Sequence, residues 1–354
     1  MPPALASSWV APPEPGASNP PCLGPLRGAE ARSRAATLVN VLTALAGGVG
    51  AARFLRGLVQ VVSPDDVTVV VNTGDDDWFH GLLVCPDIDS VTYTLAGAEN
   101  PETGWGLAGE TFAAINALDR FGAPTWFRLG DRDLATHLYR TQRLREGGAS
   151  LSQVTTELAE AWGVPARLVP MSDDRVATRI DARLPGRAGV TDLRMQEWFV
   201  EHGAEPPVVA VRFDGATTAR PAPGVLAALD AAETILVCPS NPVISIGPIL
   251  AVPGIREALA RRRDRVVGVS PIIAGAPVKG PADRLMGPLG IEVSCVGVAR
   301  AYADFCGTLV IDAGDAARAA EVEAQGVRAV VADTLMRDAR VAAALARHTL
   351  DAVA

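Results

Sequence analysis

Leu42-Thr43-Ala44-Leu45-Ala46-Gly47-Gly48-Val49-Gly50-Ala51-Ala52-Arg53-Phe54-Leu55 runs from apolar residues into two glycines, a third glycine, and a basic residue heading a helix-like segment. It reads as a strand, a tight turn and a helix N-terminus. Such a turn leaves backbone N–H groups unpaired, and the helix dipole adds partial positive charge, so phosphate is the natural guest. The turn is neither a P-loop, which needs a Lys-Ser or Lys-Thr pair, nor the full dinucleotide fingerprint, because Arg53 stands where a third spaced glycine belongs. Gly47, Gly48, Gly50 and Arg53 are therefore candidate nucleotide ligands, with Arg53 suited to a bidentate phosphate contact.

Outward from this turn, apolar runs alternate with helix-like segments. Strands are predicted at 38–46, 67–73, 125–129, 233–238, 265–270, 308–312 and 329–332. Helices are predicted at 53–62, 109–121, 151–162, 222–232, 254–263, 315–325 and from Val341 onward. Continuous Val/Ile/Leu runs suit parallel strands buried on both faces. The pattern predicts an α/β fold with a doubly wound, mainly parallel, Rossmann-like sheet. Residues 37–169 and 219–354 would form that core. Residues 170–218 break the rhythm and read as a smaller α+β insertion, with extended segments at 176–183, 195–200 and 208–213. Residues 1–36 are rich in Pro, Ala, Ser and Gly, too poor in core-forming residues to fold, and read as a disordered tail.

Composition narrows the function. Apolar residues make up 49% of the 354 residues, and the net charge is −8, which disfavours a nucleic-acid partner. No apolar run reaches the ~20 residues of a membrane span. The 5 cysteines form no C-x-x-C pair, which fits a reducing, cytoplasmic setting, and the 4 histidines lack metal-ligand spacing. No Ser/His/Asp or Cys/His set suggests a covalent intermediate.

Val67 to Asp77 (VTVVVNTGDDD) ends a second apolar strand in Asn72-Thr73-Gly74-Asp75-Asp76-Asp77. A second acidic loop comes next in Cys85-Pro86-Asp87-Ile88-Asp89. Carboxylates from two such loops can share one Mg²⁺ with a diphosphate; singly, each reads as a solvated acidic turn. Trp78 and Trp105 flank the acidic loops and could stack on a planar ring, though core burial is the commoner fate of tryptophan. Arg128, before Gly130-Asp131-Arg132-Asp133, could meet an anion or a hydroxyl, or pair with a neighbouring Asp. Ser240, Asn241, Ser245 and Gly247 lie in a Pro-stiffened loop after the 233–238 strand, suited to recognising a base or phosphate. Lys279, one of very few lysines, stands in the next such loop.

As an ordered set over about residues 38–350, these motifs resemble the 2-phospho-L-lactate transferase family, called CofD in archaea and FbiA in actinobacteria. The likeness extends through Gly104-Trp105-Gly106, Leu129–His137, Met171-Ser172-Asp173-Asp174, Pro239–Leu250, Ser270–Ile273 and Ala332–Met336. The resemblance implies a step in the biosynthesis of coenzyme F-420. There the hydroxyl of the deazaflavin Fo attacks the terminal phosphate of a guanosine diphosphate ester of a three-carbon acid, and GMP leaves. The acid is 2-lactate in archaeal relatives and enolpyruvate in actinobacterial ones. Gly-Gly-Val-Gly-Ala-Ala-Arg here is similar to the actinobacterial form, which implies phosphoenolpyruvate transfer.

The resemblance places Asp89 and Arg128 at Fo, with Trp78 a further candidate to stack on its ring; Asp89 and Asp75 are the catalytic candidates. It gives Mg²⁺ to Asp75, Asp76 and Asp89. Gly47, Gly48, Gly50, Arg53, Asn72, Ser240, Asn241, Ser245 and Gly247 fall to the GDP moiety, and Lys279, by its own position, could reach a phosphate or stand solvated in its loop. It further implies a homodimer supplied by an upstream guanylyltransferase. The alternatives are a non-catalytic nucleotide-sugar-binding regulator of the same fold and an NAD-dependent dehydrogenase, the latter disfavoured by the broken fingerprint.

Overall fold

The computed structural model describes residues 41–353; the proline-rich stretch 1–36 and the start of the first expected strand lie outside them. Seven strands make the central sheet: β1 (Leu42–Ala46), β2 (Val67–Val71), β3 (Arg167–Pro170), β4 (Thr234–Val237), β5 (Val266–Val269), β6 (Thr308–Asp312) and β7 (Arg328–Ala332). Their spatial order is 3-2-1-4-5-6-7, and every neighbouring pair is parallel. The expected doubly wound parallel sheet is thus present. The order reverses between β1 and β4, so a crevice opens beyond the carboxyl ends of those two strands.

Alternation within the apolar runs explains the two packed layers. Leu45, Val70, Ile235, Val237 and Leu309 enter the core on one sheet face. Ala44, Ala46, Val69, Val71, Leu236 and Val310 enter the core on the other. Side chains of successive strand residues point to opposite faces, and both faces here are covered. Four helices border or brace the crevice: α1 (Gly48–Leu58), α2 (Pro86–Leu95), α3 (Asp133–Arg145) and α4 (Ala339–Asp351). α1 and α4 pack together closely enough that a Cβ added at Gly57 would lie 2.3 Å from the Ala342 carbonyl carbon.

A three-stranded antiparallel sheet, in the order Thr191–Arg194, Ala177–Ala182, Val208–Asp214, lies between β3 and β4 in sequence. Two expected strands differ. Residues 125–129 form no strand; Trp126, Phe127 and Leu129 instead pack on Phe79, whose ring stacks 3.9 Å from that of Phe127. Residues 195–200 are helical, ending in the π-helical turn Glu197–Glu201. There Trp198 is fully buried and its indole N–H donates to the Pro206 carbonyl at 2.9 Å. The edge strand β3 and helices α2 and α3 were not anticipated.

Candidate active site

The β1–α1 turn forms the base of a cavity of about 840 Å³. Gly47 is extended and caps α1, and Gly48 takes the left-handed conformation at φ 72°. Two of the three glycines have a steric reason. A Cβ at Gly47 would lie 2.6 Å from Asp87 Oδ2 and 2.7 Å from Ser245 Cβ; one at Gly50 would lie 2.4 Å from the Pro239 carbonyl oxygen. Any side chain there would fill the turn that the loop after β4 approaches. That loop is held in place by the Gly47 amide, which donates to Ser240 Oγ at 3.3 Å, and by Asn241 Oδ1, which accepts from the Val243 amide at 2.9 Å.

On the β2 side, Asn72 is fully buried beneath the cavity. Its Nδ2 donates to Asp87 Oδ2 at 2.9 Å, Asp75 Oδ1 at 3.3 Å and the Ile244 carbonyl at 3.3 Å. Gln196 donates to the other oxygen of Asp75 at 3.2 Å. One side-chain amide thus clamps two carboxylates that line the cavity. Burial raises the pKa of Asp75 well above the usual range, and the charges of Asp87 and Asp76 raise it further. Burial lifts Asp87 to about 6, partly offset by hydrogen bonds from Asn72 and the Gly48 amide. The turn brings together two desolvated acids whose charges raise each other's cost.

A second cluster lies where α2 meets α3. Asp89 and Tyr93 share one face of α2; Asp133, His137 and Arg140 share one face of α3, at helical spacing. The Arg140 guanidinium is wholly buried and bonds both oxygens of Asp89, one at 3.2 Å and the other more closely. His137 Nδ1 stands 3.7 Å from Asp89, and its Nε2 stands 3.2 Å from Asp133. Tyr93 donates to Asp133 at 2.5 Å. Burial pushes the Asp133 pKa up, but the hydrogen bond and charge of His137 outweigh it and bring the carboxyl below its usual range.

Of the candidate residues, Gly47, Gly48, Gly50, Arg53, Asp75, Asp89, Arg128, Ser240, Asn241, Ser245 and Lys279 line this one cavity. Asn72, Asp76, Trp78 and Gly247 do not. Asp76 is turned toward the Cys85 thiol, and Trp78 carries the Arg145 guanidinium 4.4 Å over its ring. Gly247 faces the Phe213 ring, 3.0 Å from where its Cβ would be. Arg128 donates to Asn116 at 2.9 Å and lies over the Phe112 ring. Asp87 was read within the second acidic loop but given no role of its own, and Gln196, Tyr93, Asp133, His137 and Arg140 were assigned none; the spacing of the last three on one helix was the available signal.

Among the described residues, no three His, Cys, Asp or Glu side chains form a preformed metal cage. The donor set nonetheless fits Mg²⁺, which is commonly bound through one or two carboxylates, with substrate phosphates and water completing its six positions. Asp75 and Asp87 supply hard oxygens on the cavity wall. Asp89 has both oxygens engaged by Arg140, and Asp76 points elsewhere.

A family model described as 2-phospho-L-lactate transferase CofD matches residues 42–349. The phosphoenolpyruvate transferase of Kitasatospora aureofaciens is 48% identical over 312 residues, spanning 87% of this chain and 96% of its own length. That of Streptomyces griseus is 47% identical over 314 residues, 88% of this chain and 97% of its own. That of Mycobacterium ulcerans is 44% identical over 322 residues, 88% and 98% respectively. A solved Bacillus halodurans structure of the UPF0052 family shares the fold, with a TM-score of 0.55 at 16% identity over 87% of this chain and 98% of its own. Fold and likeness together define an enzyme, a transferase on a Rossmann-like sheet. The chain belongs to the 2-phospho-L-lactate transferase CofD family and acts in the biosynthesis of coenzyme F-420. The regulator alternative is not favoured by these matches. No helix among the described residues is long and apolar enough to cross a membrane.

Proposed function

We propose that this enzyme moves a phosphoenolpyruvyl group from its guanosine diphosphate ester to the hydroxyl of Fo, releasing GMP and forming dehydro coenzyme F-420-0. The observation that carries the reading is one cavity shared by the glycine turn, the Asp75–Asp87 pair, the Ser240–Asn241 loop, Asp89 and Arg128. Enolpyruvate is preferred over 2-lactate because the similar actinobacterial proteins are named phosphoenolpyruvate transferases.

The α1 amides left open at Val49 and Gly50, together with the α1 dipole, bind the diphosphate, and the Ser240–Asn241 loop closes on it from β4. Asp75 and Asp87 would hold the Mg²⁺, which supplies charge neutralisation at the phosphates. Asp89, fixed by Arg140, orients the Fo hydroxyl, and Arg128 binds the same acceptor. The hydroxyl oxygen forms a new bond to the terminal phosphorus while the bond from that phosphorus to the GMP oxygen breaks. GMP carries away the electron pair, and the hydroxyl proton passes to the acidic cluster or solvent. The reading extends to a cytoplasmic homodimer fed by a separate guanylyltransferase; four buried free cysteines suit a reducing compartment.

The test is mass spectrometry of the product made from Fo, GTP, Mg²⁺, the guanylyltransferase and equal phosphoenolpyruvate and 2-phospholactate. A dehydro product supports the reading. A lactyl product would replace the donor acid, and no mass gain on Fo would refute the reaction.

A further inference from the structure

Beside the glycine turn, two cations converge on one point. A Cβ added at Gly104 would lie 3.0 Å from an Arg53 guanidinium nitrogen, 3.3 Å from Lys279 Nζ and 3.5 Å from a Val49 methyl. Gly104 adopts φ +71°, which keeps that point open. Both cations line the cavity. Among the described residues neither has an acidic partner, although their neighbours do: Arg56, one helical turn on, pairs with Glu99, and Arg337 across the cavity pairs with Asp333. Lys279 donates only to the Thr103 carbonyl, at 2.7 Å, leaving two N–H groups uncommitted. Partial burial and the charge of Arg53 depress the Lys279 pKa. Two like charges held together without a counter-ion need an anion from outside.

The position says which anion. Gly47 faces Asp87 and Ser245, and Gly50 faces Pro239, whereas Arg53, one turn after Val49, shares Val49's side of α1. The acidic pair and the cationic pair therefore flank different sides of the turn. The diphosphate already has the open Val49 and Gly50 amides and the acid-held cation site. The donor's remaining anionic group is the carboxylate of its three-carbon acid.

We propose, resting on the transfer reaction proposed for this cavity, that Arg53 and Lys279 form the subsite for that carboxylate and set the enzyme's preference for an acid-bearing donor. They are specificity residues rather than the nucleotide ligands the sequence suggested.

Calorimetric binding of three probes tests this: GDP, the guanosine diphosphate ester of 2-lactate, and the matching isopropyl ester, in which a methyl group replaces the carboxylate. The wild-type protein should bind the lactyl ester at least about tenfold tighter than the isopropyl ester. Lys279→Gln and Arg53→Gln should each remove most of that preference while leaving GDP affinity within about twofold. Lys279→Arg, which keeps the charge, should retain it. A preference that survives both Gln variants overturns the proposal, as does GDP binding that weakens in step with the lactyl ester. If the wild-type protein binds none of the three, the nucleotide reading itself fails and takes this subsite with it. Lys279 stands in a partly exposed loop, so its variants test the site with little threat to the fold.

Discussion

Asp89 lays both carboxylate oxygens against the buried guanidinium of Arg140, and so joins the first turn of α2 to the middle of α3. The pair fixes a carboxylate at the edge of the cavity in one orientation. It also makes Asp89 dependent on its partner.

Removing that partner leaves a buried charge unpaired. Arg140→Leu should cost about 3–5 kcal/mol of unfolding free energy in urea. Adding Asp89→Asn to it should recover part of the loss, because the orphaned carboxylate is then gone. An Arg140→Leu protein with wild-type stability would show that the pair does not organise the α2–α3 contact.

Asp87 should give the unliganded enzyme an inverted pH profile. Its carboxyl titrates near 6 in the folded chain against 3.8 for the free side chain, so between those values the native state holds more protons than the unfolded one. Stability from this group is full below about pH 4 and falls as pH rises through 6. Asp87→Asn should flatten that decline, measured by thermal melts from pH 4 to 8 without divalent ions. Mg²⁺ should restore stability at pH 7.5 far more than at pH 5, since only ionised carboxylates hold it. EDTA should abolish transfer.

The clamp at Asn72 can be overloaded without changing its shape. Asn72→Asp puts a third carboxylate between Asp75 and Asp87 and removes the donor they share. Loss on the order of 2 kcal/mol or more is expected at neutral pH, and less at pH 5. Equal destabilisation at both would show that the lost hydrogen bonds, not charge, dominate.

Two glycines at the β1–α1 turn and along α1 separate function from stability. Gly47→Ala brings a methyl within 2.6 Å of Asp87 and closes the turn. GDP affinity should fall by about tenfold or more. Gly57→Ala instead pushes against the α4 backbone, so it should lower unfolding free energy by about 1–3 kcal/mol while the surviving folded protein binds GDP normally. Differential melts and GDP titration of both variants check this.

How legible was this in sequence? The parallel sheet was, because buried parallel strands are continuous apolar runs; β6 was read to the residue as Thr308–Asp312. Thr125-Trp126-Phe127-Arg128-Leu129 has strand composition but satisfies its aromatic rings against Phe79 rather than by pairing. α2 carries Val91, Thr92 and Thr94, poor helix formers that tertiary packing overrides. Most of the candidate site was visible as motifs at strand ends. Asp87 lay beside Asp89 in the Cys85–Asp89 motif, but which of the two faces the turn depends on where α2 begins, at Pro86. The role of Arg140 depends on α3 packing against α2, a contact between distant segments that no local pattern encodes.

The close crossing of α1 and α4 has a consequence for synthesis. The helix that follows the glycine turn rests its Gly57, in its last turn, on Ala342. The glycine turn is therefore made long before the segment that braces its helix, and α1 reaches its final packing only once α4 has been added.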